Sequence, residues 1–343
     1  MRPVVSVVII TKNNSSTIDK CITCLLNQNY PKNEYELIFV DGHSNDGTDE
    51  IIKRYASTHP VLKFFYEDRG TMGYARNVGI ERSGGEIVAF IDGDAFAPSN
   101  WIENIVREFR KDTETAVVSG LDILVSEYET FGDKEFDAVP SMGYWRRMKR
   151  ATGVKAIACT KTVNFAARRE ILLLHGGFDP NLSHMDETEL MARIIFRGNN
   201  SKMVYDPQII VYHVYRKMGE KKRWKKIFKK SMLSASLIFR RYMMKAALAN
   251  PTSSLATSFY VGLIAVLTFP LLVAMFLTGM IGLFVIAGCI SYFVVLAGYV
   301  INCWVKTRKF SASLPVNLTV QLIVRFAGTF VGLIRALHNY SNN

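Results

Sequence analysis

Residues 87–94 read Ile87-Val88-Ala89-Phe90-Ile91-Asp92-Gly93-Asp94, an apolar run that ends in two aspartates one residue apart. An apolar run of this kind is typical of a central strand in a parallel sheet, where both faces are covered. The two carboxylates then lie at the carboxyl end of the strand, where open α/β sheets bind ligands. Carboxylates there are costly unless a cation neutralises them, and oxygen ligands suit Mg²⁺ or Mn²⁺. The alternative is a turn at Asp92-Gly93 before a helix that begins near Pro98-Ser99.

The residues around this run alternate between β-branched apolar stretches and amphipathic stretches. This alternation is typical of a doubly wound, mostly parallel sheet in an α/β protein. Residues 122–160 are polar and irregular, which favours an insertion or lid near a substrate site. We predict strands at 4–10, 36–40, 62–66, 86–91, 115–119, 202–205 and 209–213, helices at 15–28, 47–57, 73–82, 99–111 and 186–197, and a return to ordered structure at 162–167.

Charge is distributed unevenly along the 343 residues. Residues 1–215 carry 25 basic and 29 acidic residues, whereas residues 216–343 carry 17 basic residues and one acid, Glu220. Nine of the basic residues fall in 216–230 with apolar residues between them, which favours a helix lying on an anionic membrane face. A nucleic-acid patch is the competing interpretation. The apolar segment that follows favours the membrane over a nucleic-acid partner.

That apolar segment, 255–305, contains no charged residue. Because a membrane helix needs about 20 apolar residues, we predict two spans, at 256–278 and 281–304. Basic residues flank both outer ends, so the sequence predicts a multi-pass protein of the cell membrane with its N-terminal domain in the cytoplasm. A buried hairpin in a soluble protein is the alternative. A polar stripe with glycines along 314–338 favours an interfacial helix over a third span, and it could pack against a second copy of the chain.

Polar residues also follow two other predicted strands at the same edge of the sheet. The first strand ends in Thr11-Lys12-Asn13 and the second ends in Asp41. Together with Asp92 and Asp94, these strand ends form a crevice suited to a nucleotide and a metal ion. The chain has no phosphate-binding Walker loop, and the segment from Gly73 to Gly79 lacks the glycine order of a dinucleotide fingerprint.

The chain resembles the family-2 glycosyltransferases, whose catalytic domain has the GT-A fold. The resemblance covers roughly residues 4–213, with its motifs in the family's order. In the last motif this chain has Asp186-Glu187 where the family usually has Glu-Asp. The matching segments are 5–13, 40–48, 73–79 (with Ala75-Arg76-Asn77), 90–94, 176–179 and 185–193.

The resemblance implies a role for each matched residue. The residues implied in binding the sugar nucleotide are Thr11, Asn13, Asp41, Arg76 and Asp92. Those implied in binding Mn²⁺ or Mg²⁺ are Asp94, Asp92 and His213, and the catalytic pair is Asp186 and Glu187, with Glu187 as general base. Without the resemblance, a structural role for His213 is equally compatible with the sequence. Asp186 and Glu187 are then interpreted as acidic residues in the first turn of a helix, where the helix dipole favours them.

A further segment partly resembles the Gln-x-x-Arg-Trp sequence of membrane-bound polysaccharide synthases. Its members here are Arg223 and Trp224, and Glu220 stands where that family has Gln. The resemblance implies contact of Arg223 and Trp224 with the acceptor or the diphosphate. Two or three spans are fewer than a translocating synthase would need.

We therefore expect an inverting glycosyltransferase that moves a sugar from a UDP- or GDP-sugar, GDP-mannose among them, to a lipid-linked acceptor at the cytoplasmic membrane face. The alternatives are a polyprenyl-phosphate sugar synthase, whose lipid phosphate needs no general base, and a non-catalytic membrane scaffold. The predicted organisation has four parts. These are a GT-A catalytic domain (1–213), basic interfacial helices in contact with membrane lipids (214–250), two transmembrane helices (251–309) and an amphipathic C-terminal helix (310–343).

Overall fold

The computed structural model describes residues 4–126, 150–152, 156, 161–182, 186–197 and 201–215. The chain divides into two compact units, and all of these residues belong to the one formed by Met1–Ala138 and Trp145–Arg216. The predicted interfacial helices, both predicted spans, the C-terminal helix and most of the predicted lid lie outside the described residues. The proposed packing of 314–338 against a second copy lies outside them too.

The predicted membrane location is corrected by the structure. Within the described ranges, no helix is long and apolar enough to cross a bilayer. The longest described helix has 12 residues, about 18 Å at 1.5 Å per residue, against a hydrocarbon core of about 30 Å. On this finding the prediction of a multi-pass cell-membrane protein with a cytoplasmic catalytic domain is wrong.

Strands and helices alternate through the first part of the chain, as the sequence predicts. The strands are β1 (Val5–Thr11), β2 (Tyr35–Asp41), β3 (Leu62–Tyr66), β4 (Ile87–Asp92), β5 (Ala95–Phe96), β6 (Thr115–Ser126), β7 (Ala151–Thr152), β8 (Phe165–Arg168) and β9 (Lys202–Tyr215). The helices are α1 (Ile18–Leu26), α2 (Thr48–Ala56), α3 (Met72–Arg82), α4 (Trp101–Lys111), α5 (Arg169–Leu174) and α6 (Asp186–Arg197), with a 3₁₀ turn at Thr162–Asn164.

The strands form one mixed sheet in the order β3-β2-β1-β4-β8-β6-β9-β5, with β7 paired to β9. The first four strands are parallel, and β8 is antiparallel to both of its neighbours. The chain enters β8 from the short 3₁₀ turn beside the carboxyl end of β4, so Phe165 pairs with Phe90 and Arg168 with Ile87. Because β8 runs opposite to both β4 and β6, the sheet is mixed rather than mostly parallel.

The prediction of two strands near 202–205 and 209–213 is wrong, because β9 runs through both. It pairs in parallel with β6, and the register shifts at Gly120 and Leu121, opposite Asp206 and Ile210. A Cβ on Gly120 would lie 2.1 Å from the carbonyl oxygen of Ile209. The irregularity therefore lies at a point where only glycine fits.

Apolar side chains pack on both faces of the sheet in two clusters. Alternate residues of β1 and β4 belong to opposite clusters, for example Ile9 and Ile91 on one face and Val8 and Phe90 on the other. Helices α1 and α4 cover the first face, and α3 and α6 cover the second. This three-layer packing buries both faces of the parallel strands and leaves their carboxyl ends free to build a site.

Candidate active site

The turn after β4 brings its two aspartates close to the end of β1. A Cβ on Gly93, between them, would lie only 2.8 Å from Thr11 Oγ1. The Gly93 amide donates to the carbonyl oxygen of Ile10 (3.1 Å), and Thr17 Oγ1 donates to the Gly93 carbonyl (3.1 Å). The turn is therefore held against the first strand by one backbone hydrogen bond and one side-chain hydrogen bond.

His213 joins the two aspartates through strand pairing. Ala95 of β5 pairs with His213 of β9, and the Val214 amide donates to the Asp94 carbonyl (2.9 Å). His213 Nε2 then lies 3.3 Å from Asp94 Oδ1. One ligand atom each from Asp92, Asp94 and His213 lies within 4.8 Å of the others.

The electrostatics of this group suit a cation. Burial raises the pKa of Asp92, and the nearby charge of Asp94 raises it further, although Arg76 and His213 oppose them. Burial alone would lower the pKa of His213, but its hydrogen bond to Asp94 and the two aspartate charges raise it overall. Two carboxylates and one imidazole, each partly exposed, form a donor set that fits Mn²⁺ or Mg²⁺, which accept oxygen ligands and keep several waters.

A cavity of about 320 Å³ opens beside this group. It lies across the carboxyl ends of the parallel strands, and the N-terminus of α3 borders it at Thr71 and Met72. The partial positive charge of a helix N-terminus favours an anion such as a diphosphate. The lining residues are Ile10, Thr11, Lys12, Asn14, Gly42, Glu67, Gly70, Thr71, Met72, Ala75, Asp92, Gly93 and Asp94.

Of the residues predicted to bind the nucleotide, Thr11 and Asp92 line this cavity, whereas Asn13, Asp41 and Arg76 are not among its lining residues. Asp41 is fully buried, and its carboxylate accepts hydrogen bonds from the amide (2.7 Å) and hydroxyl (2.6 Å) of Ser44. Asn13 is exposed with φ of 54°, and it exchanges hydrogen bonds with Ser44 and Asn45. Asn13 therefore ties the loop after β1 to the loop after β2, whereas Asp41 holds the loop after its own strand.

Arg76 lies between helix α6 and the group formed by Asp92, Asp94 and His213, which is called the metal-type group below. Only 2% of it is exposed. Its Nη1 forms an ion pair with Asp186, and its Nη2 lies 3.7 Å from Asp92 Oδ1. Its Nε has no hydrogen-bond partner in the part of the chain that the structure describes. Burial opposes the charge of Arg76, but Asp186 and Asp92 raise its pKa, so this arginine stays charged and links the two acidic groups.

The two acids at the start of α6 have different surroundings. Asp186 is 1% exposed and is held by Arg76, whereas Glu187 is only partly buried. Burial, the charge of Asp186 and a hydrogen bond with it raise the pKa of Glu187 to about 7. A carboxylate with a pKa near neutrality can accept a proton from a hydroxyl group, as a general base must. Of the pair, Glu187 is therefore the more exposed acid and has a pKa that suits proton transfer near neutral pH.

The sequence motif around Arg76 contains residues whose roles the sequence did not reveal. Asn77 clamps the backbone of Phe178, since its Nδ2 donates to the Phe178 carbonyl and its Oδ1 accepts from the Phe178 amide, both at 2.8 Å. A Cβ on Gly79 would lie 2.2 Å from Val8 Cγ1, and one on Gly73 would lie 2.3 Å from the Asp179 carbonyl oxygen. The motif thus docks α3 on the sheet and holds the loop before α6.

Glu67 is another site residue that was missed. It follows the last residue of β3, is 4% exposed and lines the cavity. The strand-end rule that selected Asp41 and Asp92 also applies to this position. Arg223 and Trp224, predicted to contact the acceptor or diphosphate, lie outside the described residues.

Comparison with known proteins agrees with the resemblance. Residues 6–173 match the family model described as glycosyl transferase family 2. Glycosyltransferase AglE of Haloferax volcanii is 30% identical over 219 residues, 64% of this chain and 69% of that protein. A dolichyl N-acetyl-alpha-D-glucosaminyl phosphate 3-beta-D-2,3-diacetamido-2,3-dideoxy-beta-D-glucuronosyltransferase of Methanococcus voltae is 28% identical over 129 residues, 36% of this chain and 40% of that protein.

A solved structure supports the fold. The mannosyltransferase PcManGT of Pyrobaculum calidifontis, in complex with GDP-Man and Mn²⁺, superposes with a TM-score of 0.59 at 18% identity. The match covers 96% of this chain and 88% of that one. The mixed α/β sheet described above is therefore of the GT-A type.

Proposed function

The chain belongs to glycosyl transferase family 2, and we propose that it transfers a sugar from a UDP- or GDP-sugar to a hydroxyl group of a lipid-linked acceptor, with inversion at the anomeric carbon. The observation that carries this proposal is that the buried Arg76 guanidinium contacts both Asp92, of the Asp92, Asp94 and His213 group, and Asp186, the residue before Glu187. A site of this kind combines a place for the leaving diphosphate with a base for the acceptor.

Asp92, Asp94 and His213 would hold the Mn²⁺ or Mg²⁺. When bound, such a cation stabilises the charge that develops on the departing diphosphate. Thr11, Lys12 and the N-terminus of α3 would line the remaining path of the nucleotide. The Pyrobaculum mannosyltransferase forms its complex with GDP-Man and Mn²⁺, which is consistent with this arrangement and keeps GDP-mannose among the candidate donors.

Glu187 would accept the acceptor's proton on a carboxylate oxygen. As that proton leaves, the hydroxyl oxygen forms its bond to the anomeric carbon, and the bond from that carbon to the diphosphate breaks on the opposite side. A single displacement of this kind inverts the anomeric centre. Asp186 would position Glu187 rather than react, because its carboxylate is buried and held by Arg76.

The acceptor class rests on the relatives. The Methanococcus enzyme is named for a dolichyl phosphate that already carries an amino sugar. An acceptor of that kind offers a sugar hydroxyl, which needs a base, and Glu187 supplies one. A polyprenyl-phosphate sugar synthase, whose acceptor is a bare lipid phosphate, would not need it.

The test is sugar transfer from a panel of UDP- and GDP-sugars to two acceptors, a polyprenyl phosphate that carries one sugar and a bare polyprenyl phosphate. We expect turnover of one donor onto the sugar-bearing lipid with Mn²⁺ and none with EDTA or in Asp94→Asn. Glu187→Gln should reduce the rate of transfer by about 10²- to 10⁴-fold, the usual contribution of a general base. Glu170 is an exposed glutamate on α5, so the control Glu170→Gln should keep the wild-type rate.

The alternatives predict other results. Transfer to the bare phosphate that survives Glu187→Gln but not Asp94→Asn would identify a polyprenyl-phosphate sugar synthase. Full activity in both variants would refute the roles proposed for the two acids. No turnover and no metal-dependent nucleotide binding would favour a non-catalytic scaffold.

A further inference from the structure

Glu67 is a buried carboxylate at the end of the cavity farthest from the metal-type group. In the sheet, Asp41 at the end of β2 pairs with Thr11 of β1 on one side and with Tyr66 of β3 on the other. The next residues along the chain, Gly42 after β2 and Glu67 after β3, therefore lie side by side. The sheet order β3-β2-β1-β4 then separates Glu67 from Asp92 by three strand intervals, about 14 Å at ~4.8 Å each. An extended nucleoside diphosphate is of comparable length. If the diphosphate lies at Asp92 and Asp94, its base reaches Glu67, a step that rests on the proposed function.

Only one oxygen of this carboxylate is used by the described part of the chain. Glu67 Oε2 accepts from the amides of Arg69 (2.9 Å) and Gly70 (2.8 Å). Oε1 lies 3.2 Å from the position that a Cβ on Gly42 would take, and Gly42 itself lines the cavity. The absence of a side chain at Gly42 therefore leaves Oε1 uncovered on that side, in a space that the Lys12 side chain also borders, with its Cδ 3.3 Å from the same position. An ionised carboxylate is an acceptor only, and a buried one gains from any donor that a ligand supplies.

The bases differ in the donors that they offer to such an oxygen. The Watson–Crick edge of guanine presents two adjacent donors, N1–H and the N2 amino group. Uracil presents a single N–H between two carbonyl oxygens, and those oxygens repel a carboxylate. A buried polar group that is left unpaired by the wrong ligand is a strong source of discrimination.

We propose that Glu67 selects the nucleobase of the donor, and that this enzyme uses a guanosine diphosphate sugar in preference to a uridine diphosphate sugar. Glu67 is a specificity-determining residue in this scheme. It accepts hydrogen bonds from the guanine edge through Oε1 while Oε2 holds the loop at Arg69 and Gly70.

The test uses Glu67→Gln, which separates binding from folding. The two loop amides need an acceptor, so the glutamine places its carbonyl oxygen toward Arg69 and Gly70 and its amino group toward the cavity. The loop is kept, and the acceptor that faces the base becomes a donor. Binding of GDP and of UDP to the full chain with Mn²⁺ is measured by calorimetry, together with thermal unfolding to confirm the fold. Asp68→Asn is the matched control, because Asp68 is the neighbouring carboxylate, has an 83% exposed side chain and pairs with His43 outside the cavity lining.

We expect the wild type to bind GDP at least tenfold more tightly than UDP, and Glu67→Gln to lose that preference while Asp68→Asn keeps it. Equal or tighter binding of UDP by the wild type would overturn this inference and leave the proposed function standing. An unchanged GDP-to-UDP ratio in Glu67→Gln would do the same. Failure of the wild type to bind either nucleotide in the presence of Mn²⁺ would refute the proposed function itself.

Discussion

Replacing Glu187 by Gln should stabilise the protein at alkaline pH, although it removes the proposed base. The pKa of Glu187 is raised from 4.5 to about 7, so the folded state binds its proton more tightly than the unfolded state does. A tenfold change in proton affinity is worth about 1.4 kcal/mol. The ionised carboxylate therefore costs the folded protein about 3 kcal/mol above pH 7. Glutamine cannot ionise and so avoids this cost, but it gives up about 1 kcal/mol from the hydrogen bond that the protonated carboxyl group makes with Asp186. Above pH 7 the free energy of unfolding should therefore be about 2 kcal/mol higher for Glu187→Gln than for the wild type.

The sign of the pH dependence follows from the same shift. Below pH 4.5 Glu187 is protonated in both states, and its stabilising contribution is fully present. As pH rises from 4.5 through about 7, the unfolded state loses the proton first, so that contribution to the free energy of unfolding falls. The difference between Glu187→Gln and the wild type should therefore be near zero or slightly negative at pH 4.5 and should reach its maximum above pH 7.

The assay is urea unfolding at intervals from pH 4.5 to 8.5. EDTA is present throughout, because a bound cation would itself change the pKa of a nearby carboxylate. Glu170→Gln serves as the control, since this exposed glutamate should change stability by less than about 0.5 kcal/mol. A Glu187→Gln variant that is no more stable than the wild type at pH 8, or a difference that does not vary with pH, would refute the reasoning.

Two further substitutions test the contacts that hold the site together, both by urea unfolding. Arg76→Met leaves the buried Asp186 without its cation and should cost about 3 to 5 kcal/mol, whereas Arg82→Met on the exposed side of the same helix should cost less than about 1 kcal/mol. Similar costs for the two variants would contradict the bridging role. Asn77→Ala removes both hydrogen bonds to the Phe178 backbone and should cost about 2 kcal/mol; a loss below about 0.5 kcal/mol would show that the clamp adds nothing.

The parts of the fold that the sequence predicted well depend on local patterns. Strand β4 and its two aspartates follow from an apolar run that ends in polar residues, and helices such as α4 follow from spacing within a dozen residues. The direction of β8 does not follow from such a pattern. It depends on which end of β4 the preceding turn reaches, and an alternating run such as 162–167 is compatible with either direction.

The site divides in the same way. The rule that ligands gather at carboxyl strand ends selects Thr11 and Asp92, and both line the cavity. The rule also selects Asp41, but three residues later Ser44 offers an amide and a hydroxyl that engage its carboxylate. His213 approaches Asp94 only because β5 pairs with β9, a contact between residues more than a hundred positions apart. No local pattern reports that pairing, and for this reason the sequence left His213 open between a ligand and a structural residue.

The order Asp-Glu at the start of α6 also has a structural explanation. Successive residues in an α-helix point about 100° apart, so one of the two acids can face the interior while the next faces outward. Asp186 faces inward, where Arg76 neutralises it, and Glu187 is left partly exposed beside it. The shorter side chain suits the buried ion pair, and the longer one would reach the acceptor in the proposed mechanism. The charge of Arg76 lowers the pKa of Glu187, against the larger effects of burial and of Asp186, and so favours the ionised form that a base needs near neutral pH.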